Sequence, residues 1–96
     1  MTDFRDVADE QKFEQGFADA EGVERFVFAD YAVRGDTRVI THVEADPALR
    51  GTGASGRFME ALALHARAEG LKLWPTCSYA KAWLDRHPDY RDVVAG

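Results

Sequence analysis

The run Arg50-Gly51-Thr52-Gly53-Ala54-Ser55-Gly56 has the composition of an anion-binding turn. Glycine at 51, 53 and 56 removes side chains, so an anion can approach the backbone closely. If a helix begins there, its first N–H groups are unpaired and its positive dipole end faces the same anion. A phosphate or pyrophosphate suits such a turn. The run is not a P-loop, because the Lys-Ser/Thr ending is absent. Nor is it a dinucleotide fingerprint, because the doubly wound pattern around it is missing. The glycines alone are equally consistent with a ligand-free turn.

A second constellation is Cys77 with His42. The thiolate is the reactive form of cysteine, and a nearby imidazole can take its proton. Pattern alone favours a plainer reading, in which Cys77 packs as a small hydrophobe and His42 is a hydrogen-bonded strand residue. His65 falls on an apolar helix face and reads as a packed histidine. His87, before Pro88, reads as a helix cap or a tie for the tail. No pair of histidines has metal-ligand spacing and Cys77 is the sole thiol, so no metal site is expected. Trp74, Tyr79 and Trp83 read as core residues rather than a stacking platform.

The elements that must position these groups follow from pattern. Lys12 to Phe17 reads as a short edge strand ending at Gly16, preceded by a weakly patterned polar stretch. Glu24 to Val33, with Phe26, Phe28 and Tyr31, reads as a strand, and Arg34-Gly35-Asp36 as a turn. Arg38 to Glu44 reads as another strand. Strict alternation places Val39, Thr41 and Val43 on one face and Ile40, His42 and Glu44 on the other. Pro47 ends it. A helix runs from the glycine turn to Glu69, with Ala54, Phe58, Ala61, Leu62, His65 and Ala68 on its apolar side, and Gly70 caps it. Leu71 to Trp74 reads as a short buried strand. Ser78 caps a helix over Tyr79 to Arg86 whose apolar stripe is Tyr79, Ala82 and Trp83. The tail Tyr90 to Val94 packs back as an extended piece. The sum is an α+β fold with a mixed sheet: antiparallel N-terminal strands, then a βαβ unit and a C-terminal helix. The βαβ unit makes its two strands parallel, so Cys77, His42 and the glycine turn converge on one sheet edge.

Composition limits what such a site can serve. The 96 residues are 46% hydrophobic and 30% charged, the balance of a globular chain of one domain, residues 1–96. No apolar run exceeds four residues, against about 20 for a membrane span. The acidic N-terminus does not read as a secretory signal. A lone cysteine and no signal point to the cytoplasm. Twelve basic against 17 acidic residues give a net charge of −5 without a basic stripe, which argues against nucleic acid. Exposed edge strands allow a monomer or a weak homodimer.

Taken together, the motifs resemble a known family. Arg50-Gly51-Thr52-Gly53-Ala54-Ser55 resembles the acetyl-CoA pyrophosphate motif of the GNAT superfamily. The whole chain is similar to its small stand-alone acetyltransferases of about a hundred residues. The residues that carry this are Thr41-His42, Arg50 to Gly56, Pro75-Thr76-Cys77-Ser78-Tyr79 and His87-Pro88-Asp89-Tyr90, within a match from about Phe26 to Val94. The resemblance implies acetyl-CoA between two splayed parallel strands. It implies a pyrophosphate on the backbone of Gly51 to Gly56 with Arg50 and Arg57 nearby, and a catalytic pair of His42 and Cys77. Three features depart from the pattern: Ser55 stands where Gly or Ala is usual, Glu44-Ala45-Asp46 is more acidic, and N-terminal helices that build an acceptor pocket in larger members are absent.

The expected function is therefore acetyl-CoA-dependent transfer, to an amine the sequence does not identify. Either His42 deprotonates Cys77, which carries the acetyl group as a thioester, or the amine attacks directly with His42 or Glu44 as base and Cys77 as acid. A CoA-binding or partner-binding module without catalysis is the alternative, and a ligand-free interaction domain the third.

Overall fold

The computed structural model describes residues 1–95. Its five strands lie in chain order in one sheet: β1 (Arg5–Val7), β2 (Lys12–Ala18), β3 (Glu24–Arg34), β4 (Thr37–Ala45) and β5 (Lys72–Pro75). The first four pair antiparallel and β4 pairs β5 in parallel. Between β4 and β5 runs α1 (Ala54–Glu69), and α2 (Ser78–Arg86) follows β5. This is the α+β mixed sheet expected from the pattern.

The N-terminus departs from expectation. Lys12–Ala18 is an inner strand, because β1 pairs along its outer side. Gly16 does not end it. It sits mid-strand opposite Phe26, and its N–H donates to the Thr2 carbonyl at 2.9 Å. The polar stretch gives little alternation because β1 is three residues long and mostly exposed.

One apolar cluster joins sheet and helices. Phe13, Val27, Ala29, Tyr31 and Ile40 meet Phe58, Met59, Leu62, Ala63 and Ala66 of α1, all buried. Ala54, Phe58 and Leu62 lie where the pattern put them. The buried stripe is rotated toward Met59, Ala63 and Ala66, leaving Ala68 exposed and Ala61 half-buried. In α2 the buried residues are Ala80, Trp83 and Leu84, and Tyr79 is exposed instead. Only Leu73 of β5 is fully buried, and Trp74 is exposed. These three shifts have one cause. Each element meets partners on only part of its circumference, and tertiary contact chooses which part.

His65 is packed as expected, its ring 5.1 Å from Phe4 and 5.5 Å from Phe13. The tail is not extended over Tyr90 to Val93. It forms a 3₁₀ segment (Pro88–Val93), after which Val94 bridges to Leu73 of β5. Arg67 clamps it: Nε and Nη2 donate to the two Asp92 carboxylate oxygens at 2.8 and 2.7 Å, and Nη2 also reaches the Asp89 carbonyl.

This clamp titrates. The Arg67 guanidinium holds the Asp92 carboxyl below its ordinary 3.8. A carboxyl depressed in the folded state contributes stability above its unfolded value and loses it as pH falls through the folded one. Asp92→Asn is therefore expected to lower the melting temperature slightly at neutral pH. The gap from wild type should close as pH drops below about 3.8. Melting curves from pH 7 to pH 2.5 measure it, and a gap that persists at the acid end contradicts the clamp.

Candidate active site

The site is built where the parallel ladder stops. β4 and β5 pair from Thr37–Lys72 to Ile40–Pro75 and no further. The Ile40 carbonyl then accepts from the N–H of Thr76 at 3.0 Å, the N–H of Cys77 at 3.3 Å and the Thr76 hydroxyl at 3.1 Å. These contacts turn the chain out of the sheet and into α2. β4 continues alone on that side to Ala45, so the strands part in a V.

A bulge in β4 lies at the same point. Asp30 pairs with His42 and Tyr31 with Ile40, which leaves Thr41 without an opposite residue. The alternation read from sequence breaks there. Ile40 faces the core and is fully buried, whereas His42 and Glu44 share the outer face with Phe28 and Asp30. The expectation that Ile40, His42 and Glu44 share a face is corrected by this extra residue. His42 Nε2 lies 3.0 Å from Glu44 Oε1, and its ring is 6.1 Å from that of Phe28. Because a carboxylate only accepts, Nε2 carries the proton and Nδ1 holds the free lone pair.

Cys77 is half-buried and is the N-cap of α2, a place the sequence reading gave to Ser78. Its Sγ accepts from the Ala80 N–H at 3.4 Å. No hydrogen bond joins Sγ to His42 among the described residues. The two are brought to the same edge, each with a different partner.

The glycine turn opens a groove of about 430 Å³ lined by Ala45 to Pro47, Leu49, Arg50, Gly51, Gly53 to Gly56, and Tyr79. Gly51 and Gly53 both have φ of 78°, a left-handed conformation that side chains resist. Thr52 is the exception among the expected binding residues. Its hydroxyl donates to the Leu49 carbonyl at 2.6 Å and accepts from the Ala54 N–H at 3.2 Å. It therefore shapes the turn and does not line the groove. The N–H groups of Gly51, Gly53, Ser55 and Gly56 donate to nothing among the described residues. Four unpaired amides, the positive end of a 16-residue helix and the Arg50 side chain form an anion cradle.

Tyr79 is a groove residue that sequence reasoning assigned to the core. Burial raises its hydroxyl pKa, with Ser55 and Arg86 pulling the other way and Cys77 adding to the rise. It stays protonated at neutral pH and can donate a hydrogen bond into the groove. Its position after Cys77-Ser78 was legible, but helix pattern alone does not say which side of a two-turn helix faces a cleft.

The five-stranded mixed sheet with its parting parallel strands is the fold of GCN5-like acetyltransferases. The sequence profile described as GCN5-related N-acetyl-transferase matches residues 14–93. The chain belongs to this family, whose enzymes use acetyl-CoA as co-substrate. Among solved structures it is similar to a GCN5-like candidate N-acetyltransferase from Staphylococcus aureus, determined by NMR. Identity is 27%, the match covers 98% of this chain and 88% of the other, and the TM-score is 0.62. None of the curated proteins matches the chain in sequence. No helix among the described residues is long and apolar enough to cross a membrane.

The turn's backbone yields a test. A Cβ at Gly53 meets no atom within 4 Å, so Gly53→Ala carries conformational strain alone. It is expected to cost about 1 kcal/mol, or roughly 4–8 °C in melting temperature for a domain of this size. Gly56→Ala, inside the helix with Trp83 Nε1 an ordinary 3.8 Å away, is expected to be neutral or slightly stabilising. Thermal melts that rank the two in the opposite order contradict this account of the turn.

Proposed function

We propose that residues 1–96 act as a minimal acetyltransferase domain that moves the acetyl group of acetyl-CoA to an amine. The observation that carries the reading is the cradle of unpaired amides beside the parting strands. Arg50 and the backbone of Gly51, Gly53, Ser55 and Gly56 would hold the pyrophosphate, with Ala54 closing the first helical turn and Thr52 fixing its shape. The free edge of β4 beyond Ile40 offers backbone groups to the amides of the pantetheine arm. Acetyl-CoA supplies an activated thioester there.

His42 and Cys77 are the proposed catalytic pair. Glu44 holds Nε2–H of His42, so Nδ1 is the atom that takes a proton. In the covalent route that proton comes from Cys77, whose sulfur takes the acetyl group as the CoA thiolate leaves with the proton; the amine then takes the acetyl group from Cys77, giving its own proton to His42 as the Cys77 thiolate is released. In the direct route the proton comes from the attacking amine, and Cys77 or Tyr79 returns one to the departing thiolate. One observation favours a binding module without transfer: Cys77 Sγ is occupied in capping α2 and makes no bond to His42.

Acetyl-CoA at a hundred times its dissociation constant is expected to stabilise the fold by about 2.7 kcal/mol. With a panel of primary amines, His42→Ala and Cys77→Ser are each expected to lower kcat/KM by about a hundredfold. Denaturing mass spectra separate the routes, since only the covalent one leaves an acetyl group that Cys77→Ser abolishes. Binding without turnover selects the non-catalytic module. Full turnover in both variants removes the pair from the mechanism.

A further inference from the structure

The sheet face turned away from α1 carries a hollow of about 430 Å³ whose lining includes Glu24, Phe26, Phe28, Glu44 and Asp46. It adjoins the first groove and shares Asp46 and Pro47 with it. Strand register builds this hollow. Val27 and Ala29 are buried in the core, so alternation sends Glu24, Phe26 and Phe28 to the other face. Phe28 pairs with Glu44, and the Asp46 N–H donates to the Phe26 carbonyl at 3.1 Å. Two phenyl rings on β3 therefore stand beside two carboxylates at the end of β4. Residues two apart on extended chain are about 7 Å apart, which sets the spacing of Glu44 and Asp46.

The lining suits an apolar chain that bears positive charge. Phe26 is 37% exposed, although it is large and apolar. Phe28 already bears one ammonium, since Lys12 Nζ lies 5.7 Å from its ring centroid. That ammonium is taken up by Glu10 and Glu14. The charge around the hollow is one-sided. Glu24, Glu44 and Asp46 stand against Arg25 alone, and Asp19 holds the Arg25 guanidinium. Glu44 also holds His42, so one carboxylate belongs both to the hollow and to the proposed base. Asp46 uses Oδ1 to accept from the Ala48 N–H at 2.9 Å, and its Oδ2 accepts nothing among the described residues.

We propose that this hollow is the acceptor subsite and that it selects a linear diamine, a primary amine with a second ammonium on a short methylene chain. The proposal rests on the acetyl-transfer reading above and adds the substrate class to it. The methylenes lie against Phe26 and Phe28. The distal ammonium lies against Asp46 and Glu24, and the reacting nitrogen sits toward Glu44 and His42. Four methylenes separate two nitrogens by about the spacing of the two carboxylates. Phenyl faces and carboxylates both favour a cation over a neutral or anionic group. The reacting nitrogen enters as the neutral amine. It bonds the acetyl carbon as the thioester carbon–sulfur bond breaks, its proton goes to His42, and the thiolate leaves. The distal ammonium is unchanged.

Steady-state kinetics on the full chain with acetyl-CoA compare 1,4-diaminobutane, n-pentylamine and 5-aminopentanoate. These share one reacting end and chain length, and differ only in a distal cation, methyl or carboxylate. The diamine is expected to exceed pentylamine about tenfold in kcat/KM, beyond the statistical advantage of two equivalent nitrogens. The carboxylate is expected to fall below both. Asp46→Asn keeps an oxygen for the Ala48 N–H, and Glu24→Gln keeps one for the Thr2 N–H that Glu24 accepts. With folding checked by melting curves, the two together are expected to bring the diamine ratio down to the statistical value. Because the readout is a ratio between acceptors, any change in acetyl-CoA binding cancels. Phe26→Leu keeps apolar cover without a ring, and is expected to lower the ratio in part. Equal kcat/KM for diamine and pentylamine in wild type overturns the subsite and leaves the transfer reading standing. So does turnover of other primary amines without turnover of the diamine. A tenfold ratio that survives the paired substitution means that the cation is read elsewhere, and overturns the subsite. No transfer to any amine overturns the transfer reading and the subsite together.

Discussion

The carbonyl of Ile40 is the point on which the site depends. It closes the parallel ladder and takes three donors from Thr76 and Cys77. A buried carbonyl must be satisfied, and here its satisfaction comes from a chain that is leaving the sheet. The consequence is a strand, β4, whose last residues have a neighbour on one side only. A sheet edge opened inside a sheet is normally a liability. Here Ala45, at the end of that edge, lines the same groove as the glycine turn.

The bulge at Thr41 acts at the same level. One unpaired residue moves His42 from the core face to the outer face and sets it beside Glu44. Ile40 stays in the core, so the sheet keeps its packing while the imidazole gains solvent and a carboxylate. The two parallel strands thus carry an imidazole on one side of the V and a helix-capping thiol at its apex. Glu44 is exposed there and Asp46 half-buried, beside Glu24 and Arg25 of β3. On the outer face, Phe26, Phe28 and Glu44 border a hollow of about 430 Å³.

Much of this was legible from residue type. Gly51 and Gly53 announce a turn free of side chains, and the fold places one there, with both residues at positive φ. Pro47 and Gly70 mark the ends of β4 and α1 as expected. His65 and His87 take the packed and tying roles read from their neighbours. The misreadings share a physical origin. Trp74 and Tyr79 are large and apolar, so pattern assigned them to the core, but β5 lies at the sheet's edge and α2 is two turns long. Cys77 displaced Ser78 as N-cap because the chain enters α2 one residue early, drawn by the Ile40 carbonyl.

What the sequence determined by itself was local and periodic: the order of the strands and helices from β2 onward, the βαβ unit, and the glycine turn that opens α1. These depend on side-chain type and near neighbours, which a linear pattern preserves. What only the tertiary structure decided was relational. The bulge that turns His42 outward, the partner that each of His42 and Cys77 takes, the withdrawal of Thr52 into the turn and the indole N–H of Trp83 behind Gly56 all arise from contacts between distant segments. Such contacts depend on register and on the competition of backbone groups for partners. Neither leaves a mark in composition or spacing.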